Sequence, residues 1–211
     1  MSSVLTDLSL TAFADTLAAR TPTPGGGSLA AYMVACGAAT VSMAFRFTSG
    51  DKYAAVEAAM KARIAELDRV RARALVLVQS DSAAYDCVTA AFGMPKSNDV
   101  EKSARTAAIQ SGLKGALDVP FETMELALGV LRLAHEGASA INPNLASDCG
   151  SGALAAAAGL EGAWNNVAIN ATSIKDASYV STKLAAATAT RAEAATLAAG
   201  IRGALSKHLG G

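Results

Sequence analysis

Apolar positions recur along this chain at three-to-four-residue spacing, the period of a helix that packs by one face. Leu8, Phe13 and Leu17 give a short first helix over Leu8 to Ala19. A second stripe reads Leu29, Tyr32 and Met33, Cys36, Thr40, Met43 and Phe47, and stops at Thr48-Ser49-Gly50-Asp51. From Lys52 to about Phe92 a very long pattern contains neither Pro nor Gly. Its seam is Tyr53, Val56, Met60, Ile64, Leu67, Val70, Leu75, Val78, Asp81, Tyr85, Val88 and Phe92. Further helices are predicted over Asp99 to Leu117, from Pro120 to His135, over Gly150 to Ala168, and from Ile174 to His208. Pro120 is read as a helix opener, because proline is tolerated in a first turn and breaks an interior. Together these predict an all-α fold: an antiparallel helical bundle with long helices, one domain over residues 1–211.

Three interruptions carry the candidate chemistry. In Thr21-Pro22-Thr23-Pro24-Gly25-Gly26-Gly27-Ser28 the prolines end the first helix. The glycines then supply a backbone free to take φ > 0 and to approach a ligand closely. Ser28 is placed to cap a helix beginning at Leu29. A glycine turn feeding a helix N-terminus offers free N–H groups to an anion or a carbonyl oxygen. A tight turn that merely lets two helices pack closely accounts for the same residues. Asp81 falls on the long seam, three after Val78 and four before Tyr85, so its carboxylate needs a partner or a task. A polar seam residue that fixes register is the alternative. Asp86 is rotated away and either serves the same site or faces water. Gly93 to Asn98 forms a turn carrying Lys96. Ala140 to Gly150 is a structured loop with Asn142, Pro143 and Asn144, followed by Ser147 and Asp148 in the first turn of a helix. There the dipole favours an ionised carboxylate, whether catalytic or only capping. Asn166 and Asn170 lie one turn apart in a small-residue helix, where asparagine needs a polar partner. His135, near a helix C-terminus, reads as a packed or dipole-favoured residue.

Composition narrows the field. Of 211 residues 52% are hydrophobic and only 5% aromatic, with alanine prominent, which suits helices at close distance. Eighteen acids balance eighteen bases, so no field points to nucleic acid. Cys36, Cys87 and Cys149 are scattered and the chain has two histidines, which argues against a disulfide framework or a metal site and favours a reducing cytoplasm. No secretion signal is expected at the N-terminus. The segment Leu29 to Phe45 is uncharged, but it is short against the ~20 apolar residues of a membrane span. A helix buried in a bundle or a dimer is the expectation there, with no membrane.

Taken together, Pro24-Gly25-Gly26-Gly27-Ser28, Asp81, Asp86 with Pro95-Lys96, Asn144 to Asp148, and Asn166 to Asn170 resemble the formiminotransferase-cyclodeaminase C-terminal domain family. That family includes stand-alone methenyltetrahydrofolate cyclohydrolases, and the resemblance runs nearly end to end. It implies an all-α homodimer that binds tetrahydrofolate derivatives and needs no cofactor. The implied site uses Gly25, Gly26, Gly27 and Ser28 with the loop before a later helix. Asp148 and Asp81 are the candidate catalytic carboxylates, and which of them is the base stays open. Asp86, Lys96, Asn144, Asn166 and Asn170 join as candidate binding residues, Lys96 for the glutamate carboxylates of folate. The implied reaction is hydrolysis of 5,10-methenyltetrahydrofolate to 10-formyltetrahydrofolate. It needs a water aimed at the methenyl carbon and a proton for the departing nitrogen. Cyclodeamination of 5-formiminotetrahydrofolate is the alternative, and a non-catalytic helical scaffold is a third reading.

Overall fold

The computed structural model describes residues 4–209, and no strand occurs among them. The helices are α1 (Leu10–Ala18), α2 (Gly26–Arg46), α3 (Ala54–Phe92), α4 (Asp99–Ala138), α5 (Ala146–Ala171) and α6 (Ala177–Ser206). Cross-helix pairs fix their directions. Ser28 meets Val78 while Ser42 meets Asp68, so α2 and α3 are antiparallel. Arg73 pairs with Glu122 and Arg63 with Glu136, which makes α3 and α4 antiparallel as well. Lys183 pairs with Asp118 and Arg132 donates to Glu193, so α6 runs parallel to α4. Helices α2, α3, α4 and α5 form a four-membered ring, and α6 lies along α4 and α5. The bundle is the predicted one.

Close packing explains the alanine. A Cβ on Gly37 would lie 2.7 Å from the Gly152 carbonyl oxygen, and one on Gly159 2.8 Å from that of Ala30. The α2 and α5 backbones therefore touch, and their shared contact includes Ala30, Val34, Val41 and Ala156, all buried. The stripe read from the sequence for α2 is not this face. Leu29 and Phe47 are exposed, and Tyr32, Met33, Cys36, Thr40 and Met43 are half-buried. Mostly small side chains face inward, with Val34, Val41 and Phe45, because three neighbouring helices crowd that side, and Leu29, Met33, Met43 and Phe47 are left on the other. Among the described residues α2 is the one helix long and apolar enough to cross a bilayer, and 61% of its apolar window is buried in the bundle.

A second departure is Pro120. It does not open a helix: α4 runs unbroken through it for 40 residues. A proline inside a helix removes the donor that would bond the carbonyl four residues back. That carbonyl belongs to Ala116, and Asn170 on α5 donates its side-chain amide to it at 2.7 Å. A neighbouring helix thus satisfies the group that proline frees, and the helix continues.

Lengths set up the rest. Helix α3 has 39 residues and α4 has 40, against 21 in α2. At ~1.5 Å per residue α3 and α4 are nearly twice as long as α2. Where α2 begins, at the level of Asp81 and Asn166, one corner of the ring stands empty.

Candidate functional site

The empty corner is a cavity of about 340 Å³ at the N-terminus of α2. Pro22, Thr23, Gly25, Gly26 and Gly27 form its floor, with Asp81, Tyr85 and Val88 from α3, Leu113 and Ala116 from α4, and Asn166 and Asn170 from α5. The sequence brings these together for local reasons. The Pro-Gly turn delays the start of α2 while the α3 seam continues. Tyr85 and Val88, which would otherwise pack on a longer α2, line open space instead.

Helix α2 begins at Gly26 with Gly25 as its N-cap, and no side chain caps it locally. Ser28 is therefore not the cap predicted from the sequence. It sits in the first turn, buried, with Oγ 2.9 Å from the Val78 carbonyl oxygen and 3.1 Å from Asp81 Oδ2. The Asp81 carboxylate lies against this first turn, so α3 sets a negative group at the N-terminus of α2. None of Gly25, Gly26 and Gly27 lies at positive φ. The glycines are needed for space: a Cβ on Gly27 would overlap the Asp81 carboxylate, 2.5 Å from its Cγ. At Gly26 an added Cβ would meet Asn166 Nδ2 at 3.4 Å.

This packing sets the electrostatics. Burial raises the Asp81 pKa above the usual carboxylate value, and the Ser28 hydroxyl and N–H beside it oppose the rise without cancelling it. Such a carboxylate is a better proton acceptor than an exposed one. Beside it, the N–H groups of Gly26 and Gly27 belong to the first turn of α2, where no carbonyl lies four residues back within the helix. Asn166 donates Nδ2 to the Gly162 carbonyl and Asn170 donates to Ala116, which leaves both amide oxygens as acceptors at the cavity wall. Opposite them, Tyr85, Val88 and Leu113 offer an apolar surface for a flat ring.

Comparison with known proteins shows the family. A family model described as formiminotransferase-cyclodeaminase matches residues 9–189. The chain belongs to the formiminotransferase-cyclodeaminase family. It is 40% identical to the methenyltetrahydrofolate cyclohydrolase of Methylorubrum extorquens over 88% of this chain and 89% of that one. It is 34% identical to the formimidoyltransferase-cyclodeaminase of Rattus norvegicus over 82% of this chain, which spans 32% of the rat protein. The crystal structure of formiminotetrahydrofolate cyclodeaminase from Thermotoga maritima superposes with a TM-score of 0.88 at 26% identity, covering 97% of this chain and 99% of that one.

Within this cyclodeaminase-family chain the candidate residues fall into two groups. Gly25, Gly26, Gly27, Asp81, Asn166 and Asn170 line one cavity, and Ser28 lies directly behind it. Asp148, Asn144, Asp86 and Lys96 do not line it. Asp148 is half-buried in the first turn of α5, 18 residues before Asn166. That separation is ~27 Å of helix, so the two cannot meet in one chain. Asn144 belongs to a 3-10 turn over Pro143–Leu145 that Asn142 ties to the far end of α2. Asp86 faces outward from α3, because five residues turn a helix ~140° away from Asp81. Lys96 is exposed in the α3–α4 connection. Tyr85, Val88 and Leu113 were missing from the sequence candidates. The signal for the first two was present, as seam positions lying beyond the last position that α2 could cover.

Proposed function

We propose that this chain hydrolyses 5,10-methenyltetrahydrofolate to 10-formyltetrahydrofolate. The observation that carries the reading is Asp81: a half-buried carboxylate with a raised pKa, pinned at Gly27 beside the amides of a helix start. The methenyl carbon is part of a delocalised cation between N5 and N10, and the carboxylate attracts it. Water adds its oxygen to that carbon and gives one proton to Asp81. The neutral carbinol is bonded to both nitrogens. The C–N5 bond then breaks, Asp81 returns its proton to N5, and the hydroxyl proton leaves to solvent as the formyl C=O forms on N10. The Gly26 and Gly27 N–H groups point to where that oxygen develops. Tyr85, Val88 and Leu113 cover the ring system, and the Asn166 and Asn170 oxygens accept hydrogen bonds from the pterin.

Water and the folate supply every atom, so the reading assigns no cofactor or metal. A homodimer and a cytoplasmic setting belong to it as well. The uncharged outward face of α2 supports the first, and three free thiols are compatible with the second. Neither nucleic acid nor a membrane has a role in it.

Support for the cyclohydrolase comes from the Methylorubrum enzyme, which matches along nearly its whole length. Cyclodeamination is a second reading, favoured by the structural match to the Thermotoga protein. There N10 attacks the formimino carbon and ammonia leaves, through a carbon likewise bonded to both nitrogens. A spectrophotometric assay separates them. Loss of methenyl absorbance above the spontaneous rate is expected with 5,10-methenyltetrahydrofolate, and no ammonia with 5-formiminotetrahydrofolate. Ammonia release with appearance of that absorbance, and no hydrolysis, would replace the first reading by the second. Inactivity towards both folates would leave a helical scaffold.

A further inference from the structure

Proline is unfavourable inside a helix, and in α4 its effect falls at the edge of the cavity. Pro120 is buried in mid-helix, and the carbonyl it leaves without an intrahelical donor belongs to Ala116, which lines the cavity. The proline ring also crowds that carbonyl and tilts it away from the helix axis. Asn170 of α5 meets it with Nδ2 at 2.7 Å. A carbonyl oxygen only accepts, so the amide nitrogen has to be the atom that faces it. The other end of the amide is thereby fixed. Its Oδ1 meets no donor among the described residues, is not buried, and belongs to the cavity wall.

The approach of the two helices does not depend on this contact. Gln110 of α4 donates to the Ser173 carbonyl at 3.3 Å and accepts the Lys175 N–H at 2.7 Å, and Lys114 pairs with Asp176 at 2.7 Å. These bonds hold the end of α5 against α4, so what Pro120 governs is the direction of one carbonyl. Asn166, one turn earlier, is oriented by its own helix through the Gly162 carbonyl at 2.9 Å. Helix α5 thus shows the cavity two acceptors ~6 Å apart. One is set locally, and the other by a proline that does not itself line the cavity.

We propose that Pro120 is a positioning residue for substrate recognition: through the Ala116 carbonyl it holds the Asn170 oxygen toward the cavity, where that oxygen selects the 2-amino group of a pterin. The ligand rests on the folate reading above, and the positioning rests on the geometry alone. A wall of acceptors takes the edge of the pterin that donates and turns away the C4 carbonyl, which only accepts. A reversed Asn170 amide would offer donors and make the opposite choice. The orientation of one amide therefore decides which edge of the ring faces α5.

The test begins with Pro120→Ala. Alanine restores the N–H and is the better helix former, so the fold is kept. With 5,10-methenyltetrahydrofolate kcat/KM should fall about ten-fold, the worth of one neutral hydrogen bond, with the loss carried by KM. Asn170→Ala should lose as much, and Pro120→Ala/Asn170→Ala no more than either, because the proline acts through the asparagine. The 2-desamino-2-methyl analogue of the substrate separates recognition from loosened packing. Wild type should prefer the natural compound by about ten-fold more than Pro120→Ala does. An equal loss on both compounds, or losses that multiply in the double variant, overturns the proposal. A readout without substrate is hydrogen exchange of the Asn170 side-chain amide by NMR. It should be protected in wild type and lose that protection in Pro120→Ala, and protection retained in the variant overturns the positioning. A wild type that turns over neither folate, with the amide still released by Pro120→Ala, would instead remove the functional reading and its pterin contact and leave the positioning standing.

Discussion

The two ends of α2 use similar materials and reach opposite results. At its C-terminal end Phe45 fills the space beside α4, so tightly that a Cβ on Gly137 would lie 2.7 Å from Phe45 Cε1. Thr48 is buried there and accepts the Asn142 N–H, so backbone and side-chain polar groups are paired. At the N-terminal end Tyr85 stands only at the cavity wall, and no aromatic ring fills the corresponding corner. A carboxylate takes its place, and the ring of helices is left open beside it. A glycine admits a large apolar ring at one end and a charged group at the other. The difference shows that a bundle of uniform cross-section makes a site by ending one helix early and putting its cost of burial on one acid.

The largest effect should come from swapping the roles of these ends. Asp81→Asn keeps the shape of the N-terminal corner and removes the proton acceptor. Turnover should fall ~10²–10⁴-fold, the usual worth of a general base, with the folded state at least as stable as wild type. Phe45→Ala should do the reverse, with ~3–5 kcal/mol lost from stability by the cavity left behind and turnover per folded molecule kept. Steady-state kinetics beside denaturant titration would read both. Full activity in a folded Asp81→Asn protein would refute the assignment of Asp81.

Next come the glycines. Gly27→Ala and Gly137→Ala each force a methyl group into occupied space, an overpacking that costs ~1–3 kcal/mol. At Gly137 the Phe45 ring can shift and only stability should suffer. At Gly27 the methyl displaces the Asp81 carboxylate from the start of α2, so turnover should fall along with stability. Equal kinetic effects of the two would break the comparison between the ends.

Much of this was legible in the sequence. The helical period gave the bundle, and Asp81 stood out as a carboxylate on an apolar seam. The glycine turn was recognisable because three glycines follow two prolines. What escaped was tertiary. Spacing assigns the residues of α2 to faces but does not say which face the neighbouring helices will take, and alanine won the inside through closeness. Ser28 read as a cap because local rules favour serine there, whereas its hydroxyl is bonded to Asp81, 53 residues away in sequence. The separation of Asp148 from Asn166 follows from the length of α5, and a list of motifs carries no distances.

Pro120 and Asn170 give a finer test, because no local rule links them. Asn170→Ala should leave the Ala116 carbonyl unpaired and cost ~1–3 kcal/mol. In a Pro120→Ala background the helix itself supplies the missing donor, and the same substitution should cost much less. A double-mutant cycle read by denaturant titration measures that coupling. Additive effects would mean that Asn170 is held for the cavity alone.

The smallest effect is a displacement along the pH axis, and its sign is fixed by burial. Asp81 binds its proton more tightly folded than unfolded, since burial raises its pKa in the native state. Stability from this group is therefore fully present below its unfolded pKa and is lost as pH rises through the folded one. Ionised Asp81 is thus a burden at neutral pH, and Asp81→Asn should relieve it, raising the melting temperature more at pH 7 than in acid. Catalysis needs the same group ionised. The acid limb of the rate profile should accordingly lie above the ordinary range of an aspartate and vanish in Asp81→Asn. Ser28→Ala removes a hydrogen bond that favours the ionised form, so it should move the limb to still higher pH. A limb that moves down, or stays where it was, would mean that another group controls the rate.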